Sequence, residues 1–326
     1  YDNPKAVVNY RVGRIISNAF SGVGYIDGLL VQHNVAPVFN WGIFAGTQPQ
    51  WQYSSFQTSL QKYGAFARYE KGNYQSGRFA STLAFAGEYH GATVSRDFIY
   101  LQNNYNSGSK WDIYQSLEMD VNTGWRKDKM GSAISLTGLY INGRYHITKN
   151  MSGGLSYDNR KNYYTYELRT LADSLFDDAF RQGVRLSYNY RFAKNYRMYL
   201  NGGVRSRSAN NDYTYSYMAG LTATNILNSR ITATGRFSGF VNFFTQGYSP
   251  YFSLSKYFWG GHLVRLGYGG YFYTINATNN NHLNQHVNLD TQFELPWGLY
   301  LGANYEYDWG DDTKGHRLFS DLGIRF

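Results

Sequence analysis

The 326-residue chain contains no cysteine, which removes disulfide scaffolds and thiolate metal sites. It also lacks any apolar run near the roughly 18 residues that a membrane-spanning helix needs, so a helical membrane protein is excluded. No run of Lys or Arg exceeds two, although 31 basic residues face 22 acidic ones and the net charge is +9. Phosphate recognition needs cations gathered in a patch, so nucleic acid is not an expected partner. The sequence starts at Tyr1 without Met, and no leader segment is expected in it. It is expected to be a processed or trimmed mature chain, a start compatible with removal of an upstream domain.

Aromatic side chains are abundant: 33 Tyr, 21 Phe and 7 Trp, or 19% of the chain. Mean hydropathy is nonetheless −0.50. A soluble domain would have to bury these rings in a core. A transmembrane barrel resolves the conflict differently. Half of each strand faces lipid, half faces a polar interior, and aromatic girdles mark both interfaces.

Apolar and polar residues alternate one by one through most of the sequence, the period of a strand between two environments. In 184–192, Val184, Leu186, Tyr188, Tyr190 and Phe192 oppose Arg185, Ser187, Asn189 and Arg191. The same holds for 196–207, 213–225, 286–295, 299–307 and 317–326. Further candidate strands are 6–16, 22–32, 36–47, 59–70, 77–89, 92–104, 109–122, 134–147, 151–160, 230–241, 248–257 and 262–274. The segments 92–104 and 134–147 alternate poorly. The expected fold is all-β, a transmembrane antiparallel up-and-down barrel over 1–326 with about 18 strands, 16 being the alternative. A soluble β-protein also alternates and stays open at this level.

Connections and girdles fit the barrel. Short turns are expected at 193–195, 227–229, 259–261 and 296–298, on the periplasmic side if the last strand ends there. Long external loops are expected at 47–58, 122–133, 161–183, 275–285 and 309–316. The turn at 71–77 is longer than this scheme favours. Tyr213, Tyr215, Tyr305 and Tyr307 fall at outer strand ends, and Tyr190, Phe192, Phe258, Trp259 and Trp297 at inner ends, where interfacial rings belong. Within 161–183, the stretch 168–180 has helical spacing, with Leu171, Leu175, Phe176 and Phe180 near one stripe. It predicts a short helix in the longest loop, either folded into the pore or packed on its rim.

Enzymatic chemistry finds little support. His90, His146 and His262 sit in no triad motif, and Asp311, Asp312 and His316 read as a solvated hairpin turn. His282 and His286 are four apart, but 278–285 reads as a loop rather than a helix, so the spacing does not decide for a metal, and no calcium-loop pattern occurs. Gly267, Gly269 and Gly270 lie in a strand, where glycine relieves crowding. No catalytic residue, metal or cofactor is expected. The charged face is the functional lead. Arg185, Arg191, Arg197, Arg205, Arg207, Arg236 and Arg265 share the polar phase on successive strands, and Asp290, Glu294, Glu306 and Asp321 share it farther on. Rings of Arg in a pore favour anions. The alternative is that these charges pair across the interior and close it.

The last strand, with Leu322, Gly323, Ile324 and Phe326, resembles the sorting signal of bacterial outer-membrane proteins. The stretches 25–48 (YIDGLLVQHNVAPVFNWGIFAGTQ) and 176–186 loosely resemble barrels of the Bacteroidota. The resemblance implies the fold and a place in the bacterial outer membrane, and carries no activity or site residues. A barrel there would contact lipid and lipopolysaccharide, and the assembly machinery during biogenesis. Function is expected to be passive, porin-like diffusion of small polar or anionic solutes. The alternative is a non-conducting subunit or scaffold with protein partners in a larger complex.

Overall fold

The computed structural model describes residues 6–18, 20–50, 53–172, 176–177, 179–208, 212–258 and 261–324. They form β1 (Val8–Ile15), β2 (Ile26–Ala36), β3 (Phe39–Thr47), β4 (Gln61–Asn73), β5 (Gly77–His90), β6 (Thr93–Asn106), β7 (Trp111–Val121), α1 (Trp125–Met130), β8 (Ile134–Thr148) and β9 (Met151–Arg160). Then follow β10 (Arg181–Ala193), β11 (Tyr196–Arg207), β12 (Asp212–Ile226), β13 (Ile231–Val241), β14 (Thr245–Tyr257), β15 (Leu263–Ile275), β16 (Asn280–Glu294), β17 (Leu299–Gly310) and β18 (Lys314–Ile324). Each strand neighbours its chain successor in one 18-stranded sheet. The fold class is the expected one, all-β, antiparallel and up-and-down, with eighteen strands rather than sixteen.

The two poorly alternating segments are strands, and their irregularity has a local cause. The β5–β6 register shifts at Glu88/Tyr89, leaving Ser95 outside the ladder. The β7–β8 register shifts at Glu118/Met119, leaving Thr137 outside it. An extra residue in a strand reverses the facing of everything beyond it.

Three expected connections shrink. Ile275 pairs with Asn280, so the loop at 275–285 reduces to 276–279. Asn280, Asn281, His282 and Asn284 are polar on both faces of β16, which hides the period. The loop at 309–316 reduces to 311–313, because β17 runs to Gly310 and β18 starts at Lys314. The turn at 71–77 tightens to 74–76, where the Asn73 side chain accepts from the Gln75 and Ser76 amides at 2.9 and 2.8 Å.

The expected helix at 168–180 is also corrected. Among the described residues there, none is α-helical, and Leu175 of its stripe lies outside them. A 3-10 turn, Tyr166–Leu168, overlaps its first residue. Side chains occupy backbone groups that a helix would use. Lys129 donates to the Leu171 carbonyl at 3.1 Å and Asn162 to the Asp177 carbonyl at 2.9 Å. A short isolated helix has little to offset that competition. The α-helix instead is α1, in the connection 122–133.

The chain divides into two compact units. The first holds the described residues through 146, then 155–183 and 207–208; the second holds 147–154, 184–206 and those from 212 onward. Both expose a row of large apolar side chains on one sheet face: Leu29, Ile43 and Leu83 in the first, Leu186, Tyr215 and Phe252 in the second. The other face, here the inner face, differs between them.

In the first unit the inner face carries an apolar cluster set between charged positions, Lys62 with Glu88 at one end and Arg68 with Glu70 at the other. Ile15, Phe20, Val23, Ile26, Leu30, Phe44, Phe66, Phe98 and Tyr100 form one buried cluster. The connection 16–25 folds over this face. The Phe20 ring lies 4.7 Å from Phe66 and 5.4 Å from Phe44. Glycines leave the space, since a Cβ on Gly42 would meet the Phe66 ring at 2.6 Å and one on Gly64 the Phe44 ring at 2.5 Å. Ser21 donates to Gln102 at 3.1 Å, Gln102 to the Asn18 carbonyl at 3.0 Å, and Lys62 to the Val23 carbonyl at 2.6 Å.

Candidate functional site

The inner face of the second unit is polar. Registers fix the phase: Arg236 stands opposite Gly220 and Tyr251, and Arg265 opposite Asp290. Asp290 in turn faces Asn304, and Glu306 faces Arg317. A cavity of about 1210 Å³ lies on this face, lined by Arg185, Asn201, Arg236, Tyr271, Asn284 and Arg317 among others.

The two groups of expected charges have different surroundings. Among the described residues, Arg185, Arg191, Arg197, Arg205 and Arg265 make no side-chain ion pair or hydrogen bond, and Arg236 only lies over the Tyr251 ring at 5.2 Å. Arg207, which belongs to the first unit, pairs with Asp177 at 2.8 Å. The acids are held. Asp290 accepts from Asn288 at 3.1 Å and from Asn304. Glu306 and Asp308 share Arg317, the latter at 2.9 Å. Asp321 lies against Gly302 and Glu294 against Gly261, where a Cβ would meet each carboxylate. Arg317 and Asp308 belong to the same wall, and their polar phase in the last two strands is the signal for them. Leu322, Gly323 and Ile324 lie on β18, with Gly323 seating the Tyr300 ring; Phe326 lies outside the described residues.

The residues screened for chemistry do not converge. His316 bonds the Tyr305 hydroxyl at 2.7 Å, whereas Asp312 takes the His282 ring at 2.8 Å and the Tyr273 hydroxyl at 2.7 Å. Hydrogen bonds from Asn284, Tyr273 and His282 hold the Asp312 carboxyl below the usual range. His286 stacks between Tyr251 and Tyr271 instead of joining His282. Among the described residues no three metal-ligating side chains gather. His90 stacks on Tyr166 at 4.2 Å, His146 meets Asp112 at 3.3 Å, and the Glu294 amide donates to His262 at 3.0 Å.

A second cluster, in the first unit, escaped sequence reasoning. Asp120 and Arg126 are fully buried and Arg96 nearly so. Arg96 donates to Asp120 at 2.8 Å and Glu118 at 3.1 Å, and its guanidinium lies 3.6 Å from the Tyr163 ring centre and 4.2 Å from that of Phe98. Arg126, on α1, donates to Asp120, to the Tyr164 carbonyl, and to the Ser95 carbonyl at 2.9 Å. Burial pushes the Arg126 guanidinium down against the pull of Asp120, and burial raises the Tyr163 hydroxyl. The bulged Ser95 and Thr137 both belong to this network: Ser95 Oγ accepts from the Tyr166 amide at 3.1 Å, and Thr137 donates to Asp120 at 3.0 Å. The network ties the connections 122–133 and 161–180 to the strand ends. Its sequence signal is the broken alternation itself, together with Glu118 and Asp120 on one strand face.

No family model and no curated protein matches the chain. Solved structures do. A bacterial polysaccharide outer membrane secretin matches with TM-score 0.44 and 9% identity over 82% of this chain and 91% of its own. An anion-selective porin from Comamonas acidovorans matches with TM-score 0.41 and 13% identity over 86% and 87%. OmpT, an outer membrane protein of Vibrio cholerae in trimer form, matches with TM-score 0.42 and 10% identity over 93% and 88%.

Proposed function

We propose that the chain is one channel-forming barrel of the bacterial outer membrane, passing small polar solutes and favouring anions. The observation that carries this is the set of inner-face arginines without acidic partners beside the 1210 Å³ cavity of the second unit. Cations left unpaired in a wet interior attract mobile anions. The exposed Leu, Tyr and Phe row faces lipid and lipopolysaccharide, and Leu322, Gly323 and Ile324 with Phe326 serve recognition by the assembly machinery. The likeness to Bacteroidota barrels stays part of this proposal.

The test is single-channel conductance of the detergent-purified chain in a planar bilayer, with reversal potential read across a salt gradient. Steady open-channel current with anion preference is the expected result. Insertion without current, or cation preference, overturns the reading. A second reading, a non-conducting subunit of a larger complex, is favoured by the apolar filling of the first unit; silence in the bilayer would select it.

A further inference from the structure

We propose, resting on the channel reading, that the cavity of the second unit is a binding subsite for acidic saccharides. Three features of one wall support this. Tyr251 lies flat on its strand neighbours: a Cβ on Gly267 would meet its hydroxyl at 2.4 Å, and one on Gly269 its ring at 3.1 Å. His286 stacks on Tyr251 at 6.2 Å and on Tyr271 at 5.5 Å, so three rings run side by side across β14, β15 and β16. Tyr271, at the end of that row, lines the cavity and is 52% exposed. A half-exposed ring held from one side offers its other face to the C–H face of a pyranose.

Charge supplies the second element. Arg185 and Arg236 line the same cavity, and neither has a carboxylate partner among the described residues. Guanidinium forks bind carboxylates in bidentate fashion. Asn201 and Asn284 also line it, with amide donors and acceptors suited to hydroxyls. An inorganic anion uses only the arginines and a neutral sugar only the ring and amides. A sugar acid uses both.

The experiment is block of the open-channel current by trigalacturonate, maltotriose and sulfate, each scaled to that variant's own conductance. Trigalacturonate is expected to interrupt the current at concentrations about tenfold or more below maltotriose, as one charge-assisted contact implies, and sulfate is not expected to interrupt it. Tyr271→Ala should weaken block by both sugars, Tyr271→Phe should retain it, and Arg236→Gln should bring trigalacturonate to the maltotriose level. Equal block by the two sugars, block by sulfate alone, or indifference to these substitutions overturns the subsite. If the chain inserts without current, the channel reading falls by itself. Titration calorimetry of trigalacturonate with the detergent-solubilised chain then decides the subsite: binding weakened by Arg236→Gln and Tyr271→Ala keeps it, and no binding overturns it.

Discussion

The two units use one strand pattern for opposite ends. In the first, the connections 16–25, 48–60, 122–133 and 161–180 are long, and the inner face is filled by Phe20, Phe44 and Phe66 and capped by buried ion pairs. In the second, 242–244, 276–279 and 311–313 are tight turns, and the inner face keeps arginines unpaired beside a cavity. Burial decides what a charge does. Arg126 without Asp120 would be a charge removed from water with only neutral acceptors to offset it. Arg185 without a partner is solvated and free to meet a passing anion.

Removing the central acid gives the strongest test of that contrast. Asp120→Ala leaves Arg96 and Arg126 buried without their shared carboxylate and should cost about 3–5 kcal/mol. The denaturant midpoint in detergent should fall, and the connections 122–133 and 161–180 should become open to protease. A midpoint equal to the parent's would mean the cluster is solvated after all, and the contrast would collapse. The matching change in the second unit, Arg205→Glu, should alter stability by no more than about 0.5 kcal/mol while moving the reversal potential towards cations. A large loss of stability there would mark Arg205 as part of the framework.

The smallest expected effect separates an exposed pair from the buried ones. Asp177 is pulled down to about 2 by hydrogen bonds from Arg181 and Arg207. A carboxyl lowered on folding adds stability above its unfolded value, and loses it as pH falls through the folded one. Protection of the 161–180 connection, read by hydrogen exchange, should hold at pH 5 and above and decline between about 4 and 2. Asp177→Asn should remove that decline. Persistence of the pH dependence in the variant would assign it to another group.

Sequence alone was enough for strand number and the up-and-down order, because alternation is imposed along each strand by two different environments. It placed Arg185, Arg236 and Arg265 on the polar phase without knowledge of any contact. It failed where one residue breaks the period, as at Ser95 and Thr137, and where both faces are polar, as from Asn280 to Asn284. The buried cluster was hidden for a related reason. Arg126 lies in a connection where Lys and Arg are ordinarily solvated, and it is taken out of water by partners distant from it in sequence, the Ser95 and Tyr164 carbonyls. The filling of the first unit was hidden too, since 16–25 has no period of its own.

That inner segment carries a consequence for the order of assembly. A meander joins each strand to its predecessor, so most of its contacts close small loops and form early. The bonds from Ser21 to Gln102 and from Gln102 to the Asn18 carbonyl span 81 and 84 residues. They cannot close until β2 to β6 are aligned, which makes docking of Phe20 a late event. Until then the apolar cluster on the inner face of the first unit stays open to solvent, and the chain in transit has a sticky surface that a holdase is suited to cover.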